Sequence, residues 1–211
     1  MRRLTLTMLV ALFLCLACAA AAFAAGDFIA VPSIDKYLTP SNMEKLKAGE
    51  VVKETVITKD AKGNDSGRGV ALVMVKAPKE KVFAVITDFN SYAAWMPNTK
   101  AAKITTNQGD RIDVEFELSI MGFGVHYTVI HKVDKDAGTI QWRMDDSKPK
   151  KNVQDSVGAW VIKPMEGDQC VIAYTIAADT GLSVPKFIQD WISNKSLVKV
   201  QKAVKGRIEG K

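Results

Sequence analysis

The chain changes its hydrophobic period along its length, and this change separates helical segments from strands. Between Ala101 and Ala178, apolar and polar residues alternate in runs broken by turn sequences such as Asp134–Gly138. A period of two places successive side chains on opposite faces of a strand. The pattern therefore predicts a meander of about six antiparallel strands joined by hairpins.

The segments before the meander have other patterns. Ser41–Ala48 predicts a short helix that ends at Gly49, and Val51–Thr58 has the composition of a strand. Val70–Val75 is continuously apolar, which predicts a strand buried on both faces.

Two further helices follow from start signals and apolar spacing. Pro78 opens a helical stretch, and Asp88 is placed as the N-cap of a second short helix, Phe89–Trp95. The chain closes with a predicted helix of about 24 residues, Val184–Arg207, with Ser183 as its N-cap. Its predicted apolar side carries Phe187, Ile188, Trp191, Ile192 and Val198, and its polar side carries Lys186, Lys195, Lys199, Lys202 and Lys205.

The alternation assigns one apolar face to the strands of the meander. The side chains expected on it are Val114, Phe116, Leu118, Ile120, Val125, Tyr127, Val129, Val133, Ile140, Trp142, Met144, Trp160, Ile162, Ile172, Tyr174 and Ile176. A curved antiparallel sheet with one such face, together with a long amphipathic helix, predicts an α+β fold in which the sheet wraps the C-terminal helix. The large aromatic residues on this face either line a ligand pocket or fill a core.

The first residues have the pattern of a secretory signal. Arg2 and Arg3 precede an apolar run of 18 residues, Met8–Ala25, and Ala22–Ala24 forms a small-x-small site. We expect a signal peptide over residues 1–24 that is cleaved after Ala24, which would export the protein to the periplasm. The alternative is a membrane anchor formed by residues 8–25.

Composition and charge narrow the class of protein. The chain has 211 residues, of which 47% are hydrophobic and 25% charged, which is typical of a folded domain. Loss of Arg2 and Arg3 with the signal would lower the formal net charge from +6 to +4 and leave Cys170 as the one cysteine. So mild a charge does not indicate nucleic-acid binding, and one thiol allows no internal disulfide.

Motifs for metal or nucleophilic chemistry are missing from the sequence. His126 and His131 lie five residues apart on one strand and therefore point to opposite faces, so they cannot share a metal without a bulge. There is no G-x-S-x-G pattern, and no C-x-x-C pattern remains once residues 1–24, which contain Cys15 and Cys18, are removed. The sequence predicts no metal site, no cofactor and no catalytic residue.

A lysine-rich loop is a candidate for contact with a membrane. Lys148, Lys150 and Lys151 lie on one hairpin connection, and the last helix carries a lysine-rich face. Either set would attract anionic lipid headgroups transiently, or would simply be solvated.

Three stretches resemble the START-like, or SRPBCC, superfamily, also known as polyketide cyclase/dehydrase-like. Residues 75–104 contain Ala77-Pro78, Thr87-Asp88-Phe89, Tyr92 and Trp95 at the spacing of the family's opening. Later, GAWVIKP from Gly158 and AYTIAADTGLSVPKFI from Ala173 resemble its G-x-W strand and the entry to its final helix.

The resemblance implies a helix-grip domain over residues 50–208, preceded by an N-terminal lead and short helix over residues 25–49. Members bind lipids, sterols, quinones, polyketides or plant hormones in a cavity beneath the C-terminal helix, and the coenzyme Q-binding branch looks most similar. We therefore expect an exported, monomeric protein that binds a lipid or other hydrophobic small molecule, for transfer or sequestration. A cyclase/dehydrase- or hydrolase-type enzyme is the alternative, and a partner-dependent protein with a filled interior is a third.

The side chains expected to line the cavity are Trp95, Phe116, Leu118, Phe123, Tyr127, Trp142, Trp160, Tyr174, Phe187 and Trp191. A shift of the C-terminal helix or of the loop Gly122–Gly124 would open it. An inward-facing histidine or carboxylate would favour the enzyme.

Overall fold

The structure, a computed structural model, describes residues 28–31, 33–59, 65–179 and 196–210. Its helices are α1 (Pro40–Lys47), α2 (Lys79–Thr87), α3 (Tyr92–Trp95) and α4 (Leu197–Glu209), with short 3-10 turns at Asp35–Tyr37 and Phe89–Ser91. Its strands are β1 (Val52–Lys59), β2 (Asp65–Val75), β3 (Thr99–Asn107), β4 (Arg111–Ile120), β5 (Phe123–Asp134), β6 (Thr139–Met144), β7 (Asp155–Met165) and β8 (Gln169–Asp179).

All eight strands form one antiparallel sheet in the order β1-β2-β8-β7-β6-β5-β4-β3. Strands β3 to β8 pair with their neighbours in sequence, which confirms the predicted meander. One long-range pairing, between β2 and β8, joins the first hairpin to the last strand of the sheet. The result is a helix-grip α+β fold, with α2 and α4 packed on the inner face of the sheet.

The inner core follows the predicted alternation. Phe116, Val129, Trp142 and Ile172 from four strands pack there against Val204 of α4. The continuously apolar stretch at residues 70–75 is buried throughout, as expected of a strand covered on both faces.

The N-terminal segment covers the outer face of the sheet. Leu46 of α1 and Tyr37 of the preceding turn pack against Leu72 of β2 and Val171 of β8, which gives the sheet a second, smaller core. Farther along, the side chain of Gln141 donates a hydrogen bond of 2.7 Å to the carbonyl of Ile29. Within the N-terminal lead, Asp35–Tyr37 forms a 3-10 turn.

Helix α4 contacts β2 through one residue in each helical turn. Leu197 occupies the space that a side chain at Gly69 would fill. Gln201 donates to the carbonyls of Ala71 and Ile172 at 2.5 and 3.0 Å. Lys205 donates to the carbonyl of Met74 at 2.7 Å.

The four-residue spacing of the contacting side chains on α4 explains these contacts. Four residues of helix advance about 6 Å, which is close to two residues of strand. The buried positions are Leu197, Gln201, Val204 and Ile208, whereas Val198 is only half-buried. The prediction that placed Lys205 on a solvated face is also wrong, since its ammonium group bonds to β2 and to Glu209. The predicted helix start, from Ser183 to Lys195, lies outside the described residues.

Helix ends agree with the sequence signals except at Asp88. Thr39 caps α1, with its side chain accepting from the amide of Asn42 at 3.3 Å, and Gly49 follows with φ of +84°. Asp88 does occupy the N-cap position of the turn Phe89–Ser91, but its side chain makes no capping hydrogen bond. Its carbonyl accepts from the Ser91 hydroxyl instead, at 2.8 Å.

Candidate ligand-binding site

The inner face of the sheet and the start of α4 border a cavity of about 180 Å³. Its described lining residues are Phe89, Tyr92, Met96, Pro97, Asn98, Thr99, Phe116, Leu118, Ile120, Val125, Tyr127, Val129, His131, Trp142, Asn152, Val153, Ser156, Trp160, Tyr174, Ile176, Ser196 and Val200. The volume is below the roughly 300–1,000 Å³ of pockets for drug-sized ligands. It suits a small ring system or one part of a longer molecule.

A continuous row of aromatic rings forms the wall of the cavity across the sheet. Tyr174 stacks on Trp142, with ring centroids 5.4 Å apart, and packs on Trp160 at 4.3 Å. On the far side, Phe116 stacks on Tyr127 at 5.7 Å. His131 lies between the two groups, 6.4 Å from both Phe116 and Trp142. Such a wall offers flat apolar surface to a ligand.

Gly158 makes room for the central ring of this wall. A Cβ atom at position 158 would overlap the Trp142 indole and the carbonyl oxygen of Thr175. Because Gly158 pairs directly with Trp142 between β7 and β6, the indole can lie flat across the neighbouring strand. Its Nε1 then donates to the Ser156 hydroxyl at 3.3 Å. The glycine of the G-x-W stretch therefore shapes the cavity.

His131 is the one histidine on the inner face. It is 4% exposed, and its Nδ1 lies 3.1 Å from the carbonyl oxygen of Ile112. Burial lowers the pKa of the imidazole to about 4, against the smaller opposing effects of that carbonyl and of Asp113. The ring is therefore neutral at pH 7. His126 points outward, with Nε2 2.7 Å from Glu115 Oε1.

The phenols of the wall are also held in their neutral form. Burial raises the pKa of Tyr127 to about 12. Burial and the nearby Tyr127 raise the pKa of Tyr174 well above its usual value. Burial likewise raises the pKa of Tyr92, whose hydroxyl donates to the carbonyl of Ile86 at 2.6 Å. These groups act at neutral pH as hydrogen-bonding groups without charge.

The described lining contains no lysine, arginine, aspartate or glutamate. A charged ligand group placed among these side chains would lose its hydration without gaining a counter-charge, at a cost of several kcal/mol. The described lining therefore favours an uncharged group in the cavity.

Three loops lie at the end of the cavity that reaches the surface: the α3–β3 loop, the β4–β5 turn and the β6–β7 loop. Asn98 and Asn152 are half-exposed lining residues. The amide of Ser119 donates to the carbonyl of Asn98 at 2.8 Å, and the side chain of Asn152 donates to the carbonyl of Gly124 at 2.7 Å. These bonds join the β4–β5 turn to both neighbouring loops.

Of the ten side chains expected to line the cavity, six do so in the structure: Phe116, Leu118, Tyr127, Trp142, Trp160 and Tyr174. Trp95 does not border the cavity, because it packs behind Tyr92 at 4.9 Å and donates from Nε1 to Ser91. Phe123 shares the face of Tyr127 but lies beyond the end of the cavity, where it is 37% exposed. Phe187 and Trp191 lie outside the described residues.

Sequence reasoning missed several lining residues. Phe89 and Tyr92 belong to the stretch that carries the family resemblance, but they were not among the side chains expected to line the cavity. His131 was not expected on the inner face either, although it has the same parity on β5 as Tyr127 and Val129, so the alternation could have found it. Ser156 gave no sequence signal, because its position depends on the indole that it contacts.

Two further properties concern only the described part of the chain. Within it, no group of three or more His, Cys, Asp or Glu side chains is placed to hold a metal ion. No helix in the same residues has the length and apolar character needed to cross a bilayer. Cys170 is a buried core residue on β8.

The fold and the cavity define a START-like helix-grip protein. Residues 68–210 match the family model described as polyketide cyclase / dehydrase and lipid transport. Because the match spans more than half of the chain, the protein belongs to this family. A search of curated proteins gives no match to the sequence.

Solved structures share the fold at low sequence identity. The Zhui aromatase/cyclase from Streptomyces sp. R1128 is 18% identical with a TM-score of 0.60, over 67% of this chain and 93% of that one. A STAR-related lipid transfer protein from Xanthomonas axonopodis is 18% identical with a TM-score of 0.60, over 73% of this chain and 98% of that one. Human StAR-related lipid transfer protein 5 is 14% identical with a TM-score of 0.57, over 75% of this chain and 83% of that one.

Proposed function

We propose that this protein is an exported carrier that binds one uncharged hydrophobic small molecule, or the apolar part of a lipid, in the cavity beneath α4. The observation that carries the proposal is the open cavity walled by Phe116, Tyr127, Trp142, Trp160 and Tyr174 without a charged side chain in the described lining. Aromatic walls stabilise a ligand by removing its apolar surface from water, at about 25 cal/mol per Å².

The finer parts of the proposal rest on the sequence. The signal-like residues 1–24 support export to the periplasm, and the resemblance to the coenzyme Q-binding branch supports a quinone-, sterol- or lipid-like ligand. We propose that the protein acts as a monomer that transfers or sequesters this ligand. We also propose a transient contact with anionic membrane near Lys148, Lys150 and Lys151, because this loop adjoins the open end of the cavity.

The cavity-filling substitution Val200→Phe tests the binding site. Val200 lines the cavity from α4, so a phenyl group there would occupy space that a ligand needs. We expect Val200→Phe to bind the fluorescent probe N-phenyl-1-naphthylamine at least tenfold more weakly than the unmodified protein, in an equilibrium titration. A circular dichroism spectrum would check that both proteins are folded.

Lys202→Phe is the matched control. It adds the same side chain to the same helix at an exposed position. We expect this variant to bind the probe as the unmodified protein does. Equal binding by Val200→Phe and the unmodified protein would show that the probe does not occupy the cavity, and would contradict the proposal.

A cyclase/dehydrase- or hydrolase-type enzyme is the second candidate, and inward-facing His131 is the observation that favours it. A general base works best with a pKa near the working pH, and burial lowers the pKa of His131 to about 4. This weakens the imidazole as a base, so binding remains the first proposal. Chemical change of the bound molecule during incubation with the protein would favour the enzyme instead.

A further inference from the structure

Several polar atoms along the cavity wall have no hydrogen-bond partner among the described residues, among them Nε2 of His131, Nε1 of Trp160 and the hydroxyl oxygens of Tyr127 and Tyr174. Two other polar groups of the aromatic wall are paired. Tyr92 donates to Ile86, and Trp142 donates to Ser156. Each ring with an unpaired atom lines the cavity, and none of these atoms is sealed from open space.

The hydrogen-bonding role of His131 follows from its partner. A carbonyl oxygen can only accept, so the Nδ1 atom beside Ile112 must carry the hydrogen and donate it. Since the ring is neutral, Nε2 then has a lone pair and no hydrogen. It can accept a hydrogen bond from a ligand but cannot donate one.

Aromatic rings pack around the imidazole of His131. Phe89 packs on the imidazole at 4.4 Å, and Phe116 and Trp142 flank it at 6.4 Å. Hydrocarbon placed against Nε2 would leave a buried acceptor without a partner, which costs about 1–3 kcal/mol. A ligand hydroxyl at that point would satisfy it.

We infer that the cavity selects uncharged apolar molecules that carry a hydroxyl group, whose O–H donates to Nε2 of His131. The class comprises phenols, hydroquinones and alcohols with an apolar ring system, in preference to hydrocarbons, ethers and molecules whose oxygens are all carbonyls. The phenols of Tyr127 and Tyr174 can accept from or donate to a second oxygen function. The inference rests on the proposed function and specifies its ligand.

A matched pair of probes tests the inference. 2-Naphthol and 2-methoxynaphthalene share one ring system and differ in whether the oxygen can donate. Isothermal titration calorimetry at pH 7.5 should show that the unmodified protein binds 2-naphthol about three- to tenfold more tightly, the range expected of one hydrogen bond. In His131→Phe the ratio should fall to about one, while the affinity for 2-methoxynaphthalene is kept.

Further variants separate a binding role from a structural one. His131→Asn can keep a donor to the Ile112 carbonyl but has no atom at the position of Nε2, so it should also lose the preference, and it replaces His131→Phe if that variant fails to fold. His126→Gln changes the outward histidine of the same strand and should keep the preference.

The outcomes distinguish this inference from the proposed function. Equal binding of the two probes by the unmodified protein would overturn the inference and leave the carrier in place. A preference that survives in both His131 variants would overturn the role of His131. Failure of the unmodified protein to bind either probe would overturn the proposed function, and the inference with it.

Discussion

The stability of the fold depends on pH, because the imidazole of His131 is buried. Its pKa in the folded protein is about 4, compared with about 6.5 for an exposed histidine. Above pH 6.5 neither state holds the extra proton. Between pH 6.5 and pH 4 only the unfolded chain binds it, so the free energy of unfolding falls as the pH falls.

We expect this loss to amount to about 3 kcal/mol by pH 4, and to be absent when the histidine is replaced by leucine. Urea unfolding of the unmodified protein and of His131→Leu, at steps from pH 8 to pH 4, measures it. Other groups titrate in both proteins, so the difference between the two curves isolates His131. Curves that stay parallel from pH 8 to pH 4 would show that the imidazole is not held neutral.

At the scale of elements, the structure indicates which part of the cavity boundary can move. The described part of α4 contacts β2 through Leu197, Gln201 and Lys205. Displacement of this segment would therefore break buried hydrogen bonds. This result disfavours motion of that segment as the route by which the cavity opens. Motion of the β4–β5 turn, the other expected route, would leave the bonds between α4 and β2 intact.

The same turn carries the exposed hydrophobic residues of the described chain. Met121 is 59% and Phe123 is 37% exposed, and no other large hydrophobic residue is exposed among those whose side chains the structure describes. Lys151 faces His126 in an isolated bridge beside the turn, and Lys150 pairs with Asp146 at 2.8 Å. Exposed apolar groups beside lysines are typical of a surface that touches lipid.

We expect the double variant Met121→Ser/Phe123→Ser to bind more weakly to vesicles of phosphatidylglycerol and phosphatidylcholine in a sedimentation assay. Lys148→Gln should lower binding about fivefold, and only when phosphatidylglycerol is present, since one lysine near an anionic surface contributes about 1 kcal/mol. Lys45→Gln, on α1, is the matched control and should bind as the unmodified protein does. Unchanged binding by the double variant would contradict the proposed contact.

The elements themselves could be predicted because their signals are local. Period-two alternation identified the strands and the inner side chains, including Trp142 and Tyr174. The burial of Gln201 could not be predicted, because a polar residue faces inward only where strand carbonyls are open to it. Trp95 and Phe123 were expected in the cavity lining but do not belong to it. Where the cavity ends depends on tertiary packing, which the hydrophobic pattern of the sequence does not specify.

At the scale of the whole molecule, the sheet is covered on both faces by different parts of the chain. The inner face packs on α2 and α4 and keeps a cavity, whereas the outer face near β2 and β8 is closed by α1. The sequence indicated double burial of residues 70–75 but not which element covers the outer face. That partner is set by tertiary packing between segments far apart in the chain, which local patterns do not encode.

Native mass spectrometry of the protein, purified gently from its own cells, shows whether the cavity holds an uncharged hydrophobic ligand. We expect a one-to-one adduct that organic solvent releases, and an extracted molecule that is apolar, bears a hydroxyl group and has no charge on its ring system. An empty protein that also fails to take up N-phenyl-1-naphthylamine would contradict the proposed binding.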